Sequence, residues 1–314
     1  MPKTMFADEK TRIIKQAATI ALVGNTILAL LMIATGLMSS SAALIGAGID
    51  SSTDVLISII TLVVVKILSK PADAEHPWGH RRAETIATVI LSFVIFFVGA
   101  QLIVSSFSDL IDGSHSAVPS SLTMIVPIIS MVGKILLAIS QYRLGKKAQS
   151  PMIMANAKNM SSDVLISLGV LIGFGISHLT GSAHADSIVA ILIGAWVIKT
   201  ALGIFIDANL ELMDGNKNMR SYHVIVEAVD AVDGASTPHR ARIRCVGGFW
   251  DISFDIFVDP NCTVSQAHKI ASKVEKEIKA RLENVYDVMI HVEPMGDDTK
   301  EVFGLSEDDL KKSV

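Results

Sequence analysis

The sequence predicts an α-helical integral membrane protein of six transmembrane helices, followed by a small α+β domain. Three observations lead there. Half of the 314 residues are apolar, and the mean hydropathy is +0.49. The apolar residues gather into long runs over the first two-thirds of the chain, and beyond Asp207 the runs give way to short alternations. The expected division is a transmembrane domain over 1–208, a soluble domain over 209–296 and an acidic, polar and mobile tail over 297–314.

Six runs are long enough to cross ~30 Å of hydrocarbon at about 1.5 Å per residue. They lie at roughly 13–37, 42–68, 84–107, 119–142, 152–179 and 186–207. Lys and Arg flank them on one side only: Lys3, Lys10, Arg12 and Lys15, then Lys70, Arg81 and Arg82, then Arg143, Lys146, Lys147 and Lys158. The other connections, 38–41, 108–120 and 180–185, contain neither. The positive-inside rule therefore places both termini in the cytoplasm, the membrane being the plasma (inner) membrane. Lys66, Lys134 and Lys199 lie toward cytoplasmic ends, where they are expected to snorkel. Pro127 is expected to kink the fourth span, and Gly46, Gly48, Gly169, Gly173 and Gly175 to permit close helix packing. Asn25 and Gln101 read as interhelical hydrogen-bonding residues. The first fifteen residues are polar and lead into a run too long for a signal-peptide core, so no cleavable signal is expected.

An internal echo marks a site. The second span contains Asp50-Ser51-Ser52-Thr53-Asp54-Val55-Leu56-Ile57-Ser58, and the fifth contains Asn159-Met160-Ser161-Ser162-Asp163-Val164-Leu165-Ile166-Ser167. The second span runs inward and the fifth outward, so the two segments meet antiparallel, as in transport folds with related halves. Residues i and i+4 share a helix face about 6 Å apart. Asp50 with Asp54, and Asn159 with Asp163, thus offer four oxygen donors around one point at mid-membrane. Each ionisable residue there costs about 2.5–3.5 kcal/mol on insertion scales, so three carboxylates require a cation or protons nearby.

The loop after the second span carries Asp73, His76 and His80, either a metal-binding set of one carboxylate and two imidazoles or a solvated polar loop. In the soluble domain the pattern reads helix 217–232, strands 239–247 and 250–258, helix 263–283 and strand 286–293, an αββαβ order. Alternation turns Trp250, Ile252, Phe254, Ile256 and Val258 to one side and Asp251, Ser253 and Asp255 to the other, and in the last strand leaves His291 and Glu293 outward. The region beyond 208 carries more Asp and Glu than Lys and Arg, which suits a cation-binding module and excludes nucleic acid as a partner. Cys245 and Cys262 make no disulfide framework and read as ordinary small residues. No His-Glu-x-x-His pair or nucleophile motif accompanies the carboxylates, so the chain does not read as an enzyme.

With its paired acidic positions in the second and fifth spans, its His-containing loop and its soluble tail, the chain resembles the cation diffusion facilitator family over nearly its whole length. The resemblance implies a homodimer in the lipid bilayer that exchanges a divalent metal for protons by alternating access, with Asp50, Asp54, Asn159 and Asp163 as the transport site. It implies a second metal site at Asp73, His76 and His80. It also implies a ferredoxin-like cytoplasmic domain that binds regulatory metal through His239, Asp255, His268, His291 and Glu293. Arg82 and Asp214 stand where family members place a Lys–Asp contact, implying an ion pair. Many zinc-carrying members have His where this chain has Asn159. The all-oxygen set that remains suits Mn²⁺ or Fe²⁺ better than Zn²⁺. The rival expectation is a transport-inactive homologue acting as a metal-responsive scaffold, with a heteromeric partner left open.

Overall fold

The computed structural model describes residues 2–38, 42–112, 121–180, 185–296, 303–306 and 309. Contacts divide the chain into two compact units, Met1–Asn209 and Leu210–Val314. The first holds six long helices: α1 (Pro2–Met38), α2 (Ala42–Leu68), α3 (Arg82–Asp112), α4 (Ser121–Ala148), α5 (Pro151–Thr180) and α6 (Ala185–Leu212). Among the described residues, five of them, α1 to α4 and α6, contain segments long and apolar enough to span a membrane. The sixth long helix, α5, has side chains described only as far as Leu168. All but α2 begin earlier or end later than the apolar runs, because polar flanking turns continue the helix beyond the hydrocarbon zone.

Their outer surface explains the composition. Leu30, Phe97, Leu136 and Leu192 are more than 60% exposed, which in water would be a liability and in lipid is the expected contact surface. The interior is narrow. Ile13, Ile14, Ala17, Val64, Val65, Ala87, Met152 and Ile153 close one end of the bundle. Ile57, Leu91, Ile95, Ala155, Val197, Ala201 and Ile204 pack α2, α3, α5 and α6 together further along. Helix α4 runs as one helix through Pro127.

Lipid supplies no hydrophobic force between helices, so close approach must come from small residues. Gly48 meets this expectation: a Cβ there would lie 3.0 Å from the Ile33 backbone nitrogen. Comparably tight is a pair the sequence pattern did not single out, Gly99 on α3 and Gly194 on α6. A Cβ on Gly194 would come within 2.7 Å of Ile103 Cγ1 and 3.0 Å of the Gly99 carbonyl oxygen. The expected glycines Gly169, Gly173 and Gly175 lie where α5 side-chain surroundings are not described.

The second unit holds α7 (Met219–Asp230), β1 (Ser236–Val246), β2 (Phe249–Val258), α8 (Val264–Arg281) and β3 (Val285–Pro294). Strands order as β1-β2-β3. The first pair is antiparallel across a short turn. The second is parallel, which requires a crossover, and α8 supplies it. A Thr263–Gln266 capping box starts α8. Both helices pack on one face, where Ile225, Val229, Ile252, Phe254, Ile256, Val274 and Ile278 form the core.

The tail beyond 296 does not stay free along its whole length, contrary to the expectation from its polarity. Leu305 pairs with Ala241 through two backbone hydrogen bonds of 3.0 and 3.1 Å on the open side of β1. The Phe303 ring lies about 5 Å beneath the guanidinium carbons of Arg240 and Arg242. A bare sheet edge and two cations outweigh the acidic composition locally.

Gly194→Val should destabilise the helical unit by about 1–3 kcal/mol, the usual penalty of overpacking. Thermal melting of the purified protein in detergent measures it, and an unchanged midpoint would show that α3 and α6 are not held by this contact.

Candidate metal sites

The echoed segments meet as the spacing predicts. Asn159 Nδ2 donates to Asp54 Oδ1 at 3.0 Å, linking α5 to α2. Both residues are 4% exposed. Asp163, one turn along α5, faces the same space with its side chain 20% exposed. The shared pentapeptide behaves alike in both helices: Ser58 Oγ donates to the Asp54 carbonyl at 2.8 Å and Ser167 Oγ to the Asp163 carbonyl at 2.9 Å. Asp50 lies on α2 one turn before Asp54, and its side chain is outside the described residues.

Lys134 overturns an expectation. Rather than snorkelling to the cytoplasmic edge, its ammonium enters the acidic site from α4, 2.7 Å from Asp163 Oδ2 and 3.1 Å from Asp54 Oδ2. Two carboxylates in an apolar bundle outbid the membrane surface for the charge, because an unpaired buried carboxylate is far more costly than a bent lysine stem. The sequence carried a signal for this, a lysine midway along an otherwise apolar span, but the nearness of the loop favoured the wrong reading. Gln101 is likewise corrected: it is exposed on α3. An interhelical amide not expected from the sequence is Gln141, fully buried, whose Nε2 donates to the Ala17 carbonyl at 3.0 Å. Asn25 is fully buried as expected, but neither amide atom finds a partner among the described residues.

A second buried pair was missed. Lys10 Nζ lies 3.0 Å from Glu84 Oε2, which is 1% exposed, and 3.4 Å from the Gln149 carbonyl. It ties α1 to the start of α3 and to the α4–α5 connection. Lys10 was legible only as one of several flanking cations, since nothing in sequence pairs it with a residue so distant.

The 69–81 loop brings its three candidates together. Asp73 Oδ1 is 3.2 Å from His76 Nδ1 and Asp73 Oδ2 is 3.4 Å from His80 Nε2. The two rings stand 4.4 Å apart. The backbone N–H groups of His76 and Glu75 donate to Asp73 Oδ1 at 2.7 and 3.1 Å, closing an Asx turn. The His76 backbone N–H and the flanking imidazoles hold the Asp73 carboxyl below the usual carboxylate range, so it stays an anion able to accept a cation.

In the second unit, strand register makes the site. His239 on β1 stands opposite Asp255 on β2, and Asp255 opposite His291 on β3. Glu293, two residues on, is on the same face. His239, Asp255 and Glu293 present ligand atoms within 4.8 Å of one another. The expectation that Asp255 and Glu293 face outward is only half right: they point away from the helices, yet Asp255 is 2% and Glu293 9% exposed. The pairing of β1 is irregular on both sides of His239. His239 Nδ1 lies 2.9 Å from the Thr237 carbonyl, so it carries the hydrogen, and Nε2 faces Glu293 Oε2 at 3.2 Å. One imidazole nitrogen and two carboxylates converging in this way make a donor set that suits a divalent ion. Arg240 supplies positive charge beside them, 2.8 Å from Asp255 Oδ2, a role no pattern in the sequence announced. His291 sits at the rim, 3.6 Å from Glu293 Oε1 and largely exposed. His268 does not join: it is exposed on α8, in the layer on the opposite face of the sheet.

Of the expected Arg82–Asp214 pair, Arg82 belongs to the first compact unit and Asp214 to the second, where Asp214 Oδ2 lies 3.7 Å from Arg244 Nη1.

Membrane helices that gather carboxylates, an amide and a lysine at a common point, joined to a soluble domain with a His/carboxylate row, define a cation-handling membrane transport protein. The cation efflux transmembrane domain model matches residues 18–213 and the cation efflux protein cytoplasmic domain model matches 219–295. The chain therefore belongs to the cation diffusion facilitator family, whose members are transporters. It is 31% identical to the uncharacterized transporter YdbO of Bacillus subtilis, covering 91% of this chain and 97% of that protein. It is 29% identical to the manganese efflux system protein MneP of the same organism, covering 92% and 99%. It is also 29% identical to the cation-efflux pump FieF of Cronobacter sakazakii, covering 90% and 93%.

Glu84→Gln should cost about 3–5 kcal/mol, because it strands the buried Lys10 charge. Denaturation of the detergent-solubilised protein would read it, and a loss below about 1 kcal/mol would place the pair among weak surface bridges.

Proposed function

We propose that this protein exports Mn²⁺ or Fe²⁺, in preference to Zn²⁺, from the cytoplasm in exchange for protons, by alternating access. It works as a homodimer in the plasma (inner) membrane with both termini cytoplasmic. The metal's ligands are Asp54, Asn159 and Asp163, joined by Asp50 from the preceding turn of α2. The observation that carries the reading is the meeting of Asn159 with Asp54 across α5 and α2, which sets an amide, and no imidazole, beside the carboxylates. Such a set gives no advantage to zinc's preference for nitrogen and sulfur. The manganese efflux described for MneP points the same way.

An asparagine takes up no proton near neutral pH, so coupling falls to the aspartates, which exchange protons for metal as the site opens to either side. Asp73, His76 and His80 form a second, exposed metal-binding set. The cytoplasmic domain senses metal: an ion between His239, Asp255 and Glu293 lowers the negative charge of an acidic domain and strengthens the dimer. An inactive scaffold would have no use for the buried Asp54, Asn159 and Asp163 grouping, and metal-dependent proton flux separates the two readings.

Asp54→Ala and Asp163→Ala should each reduce metal flux in proteoliposomes to background while leaving a folded protein. Near-normal flux in both would refute the site. Asn159→His should move competitive uptake toward Zn²⁺ by about tenfold, the equivalent of 1.4 kcal/mol in relative affinity. An unchanged metal ranking would show that residue 159 does not contact the ion. In the cytoplasmic domain, His239→Ala or Asp255→Asn should weaken metal binding by residues 210–296, measured by calorimetry. No heat of binding in the unmutated domain would rule out sensing.

A further inference from the structure

We propose that Lys134 is a tethered internal cation. Its ammonium occupies the carboxylates of the membrane site when no metal is there, must leave when metal enters, and returns to help drive metal out. This rests on Asp54, Asn159 and Asp163 being the transport ligands.

The geometry is that of a substitute for the metal. Lys134 reaches in from α4, a helix that contributes none of the proposed ligands, and contacts oxygens from the two helices that do. It touches Asp54 Oδ2 and Asp163 Oδ2, one oxygen from each carboxylate, while Asp54 Oδ1 accepts from Asn159 Nδ2. The contact is uneven: Lys134 Nζ donates to Asp163 Oδ2 at 2.7 Å and lies 3.1 Å from the buried Asp54 Oδ2.

Metal and ammonium cannot share the site. A divalent ion needs oxygens at about 2.0–2.6 Å, and on Asp54 Oδ2 and Asp163 Oδ2 it would take the place the ammonium now holds. The lysine stem carries the charge on a flexible four-carbon arm, so it can withdraw without moving α4. Binding is then an exchange of a free divalent cation for a bound monovalent one. The site's net charge rises by about one rather than two units as metal loads, which lowers the electrostatic difference between empty and loaded bundles. The tether also weakens metal binding on purpose, because a transporter that holds its ion too tightly does not release it.

Transport kinetics of the full-length protein in proteoliposomes with Mn²⁺ test this, using Lys134→Met, Lys134→Gln and Lys134→Arg. Removing the charge should lower KM by about tenfold or more and lower kcat as release slows, while Lys134→Arg stays near the unmutated protein in KM. Without lysine the empty site is strained, so Mn²⁺ should also raise the melting temperature of Lys134→Met and Lys134→Gln by more than it raises that of the unmutated protein. An equal or smaller metal-induced shift, or an unchanged or higher KM in the neutral variants, overturns the tethered-cation role. If Asp54→Ala transports normally, the site reading itself has failed, and the role of Lys134 fails with it. If Asp54→Ala is inactive and the neutral Lys134 variants keep the unmutated KM, only the lysine's role is lost.

Discussion

Charge that has been taken out of water must be answered within the protein, and the membrane unit is organised around that constraint. Asp54 and Asp163 are placed on two helices that would otherwise be apolar packing elements, and Lys134 on a third helix answers them. The result is a three-helix junction of α2, α4 and α5 fixed by polar contacts where lipid gives no hydrophobic drive to associate. Other contacts follow the same rule. Gln141 bonds the Ala17 backbone, and Lys10 pairs with Glu84, so polar groups join helices whose outer surfaces dissolve in lipid.

The glycine contacts do the complementary work. Gly99 and Gly194 let α3 and α6 come together at backbone distance, and Gly48 does so for α2 against α1. These contacts carry no charge and hold by close packing alone.

The soluble unit solves a related problem with a sheet. Strand register fixes His239, Asp255 and His291 in one row, and the sheet's apolar face is spent on α7 and α8. Here too a cation from the chain itself, Arg240, lies against the acidic group, and its other face covers Phe303 of the tail. Both proposed metal sites therefore hold a side-chain cation among their oxygens, one on a lysine arm and one on a guanidinium.

The long apolar runs, the one-sided Lys and Arg and the switch to period-two alternation determined the helices, the strands and their order, because each of these is a local property that a window of residues displays. The repeated Asp-Val-Leu-Ile-Ser determined that Asp54 and Asp163 belong to one site, since helical spacing converts directly into a shared face. Tertiary structure alone decided which cation answers them. A lysine's neighbours depend on how α4 packs against α2 and α5, and no local window reports that. The same holds for Arg240 at the cytoplasmic row, for Lys10 with Glu84 and for the tail residue Leu305 on the edge of β1. It holds also for His268, which has the composition of a ligand but sits on the wrong layer. Distances between residues far apart in the chain are set by packing, and the energy of a buried charge depends on those distances more than on the identity of the residue that bears it.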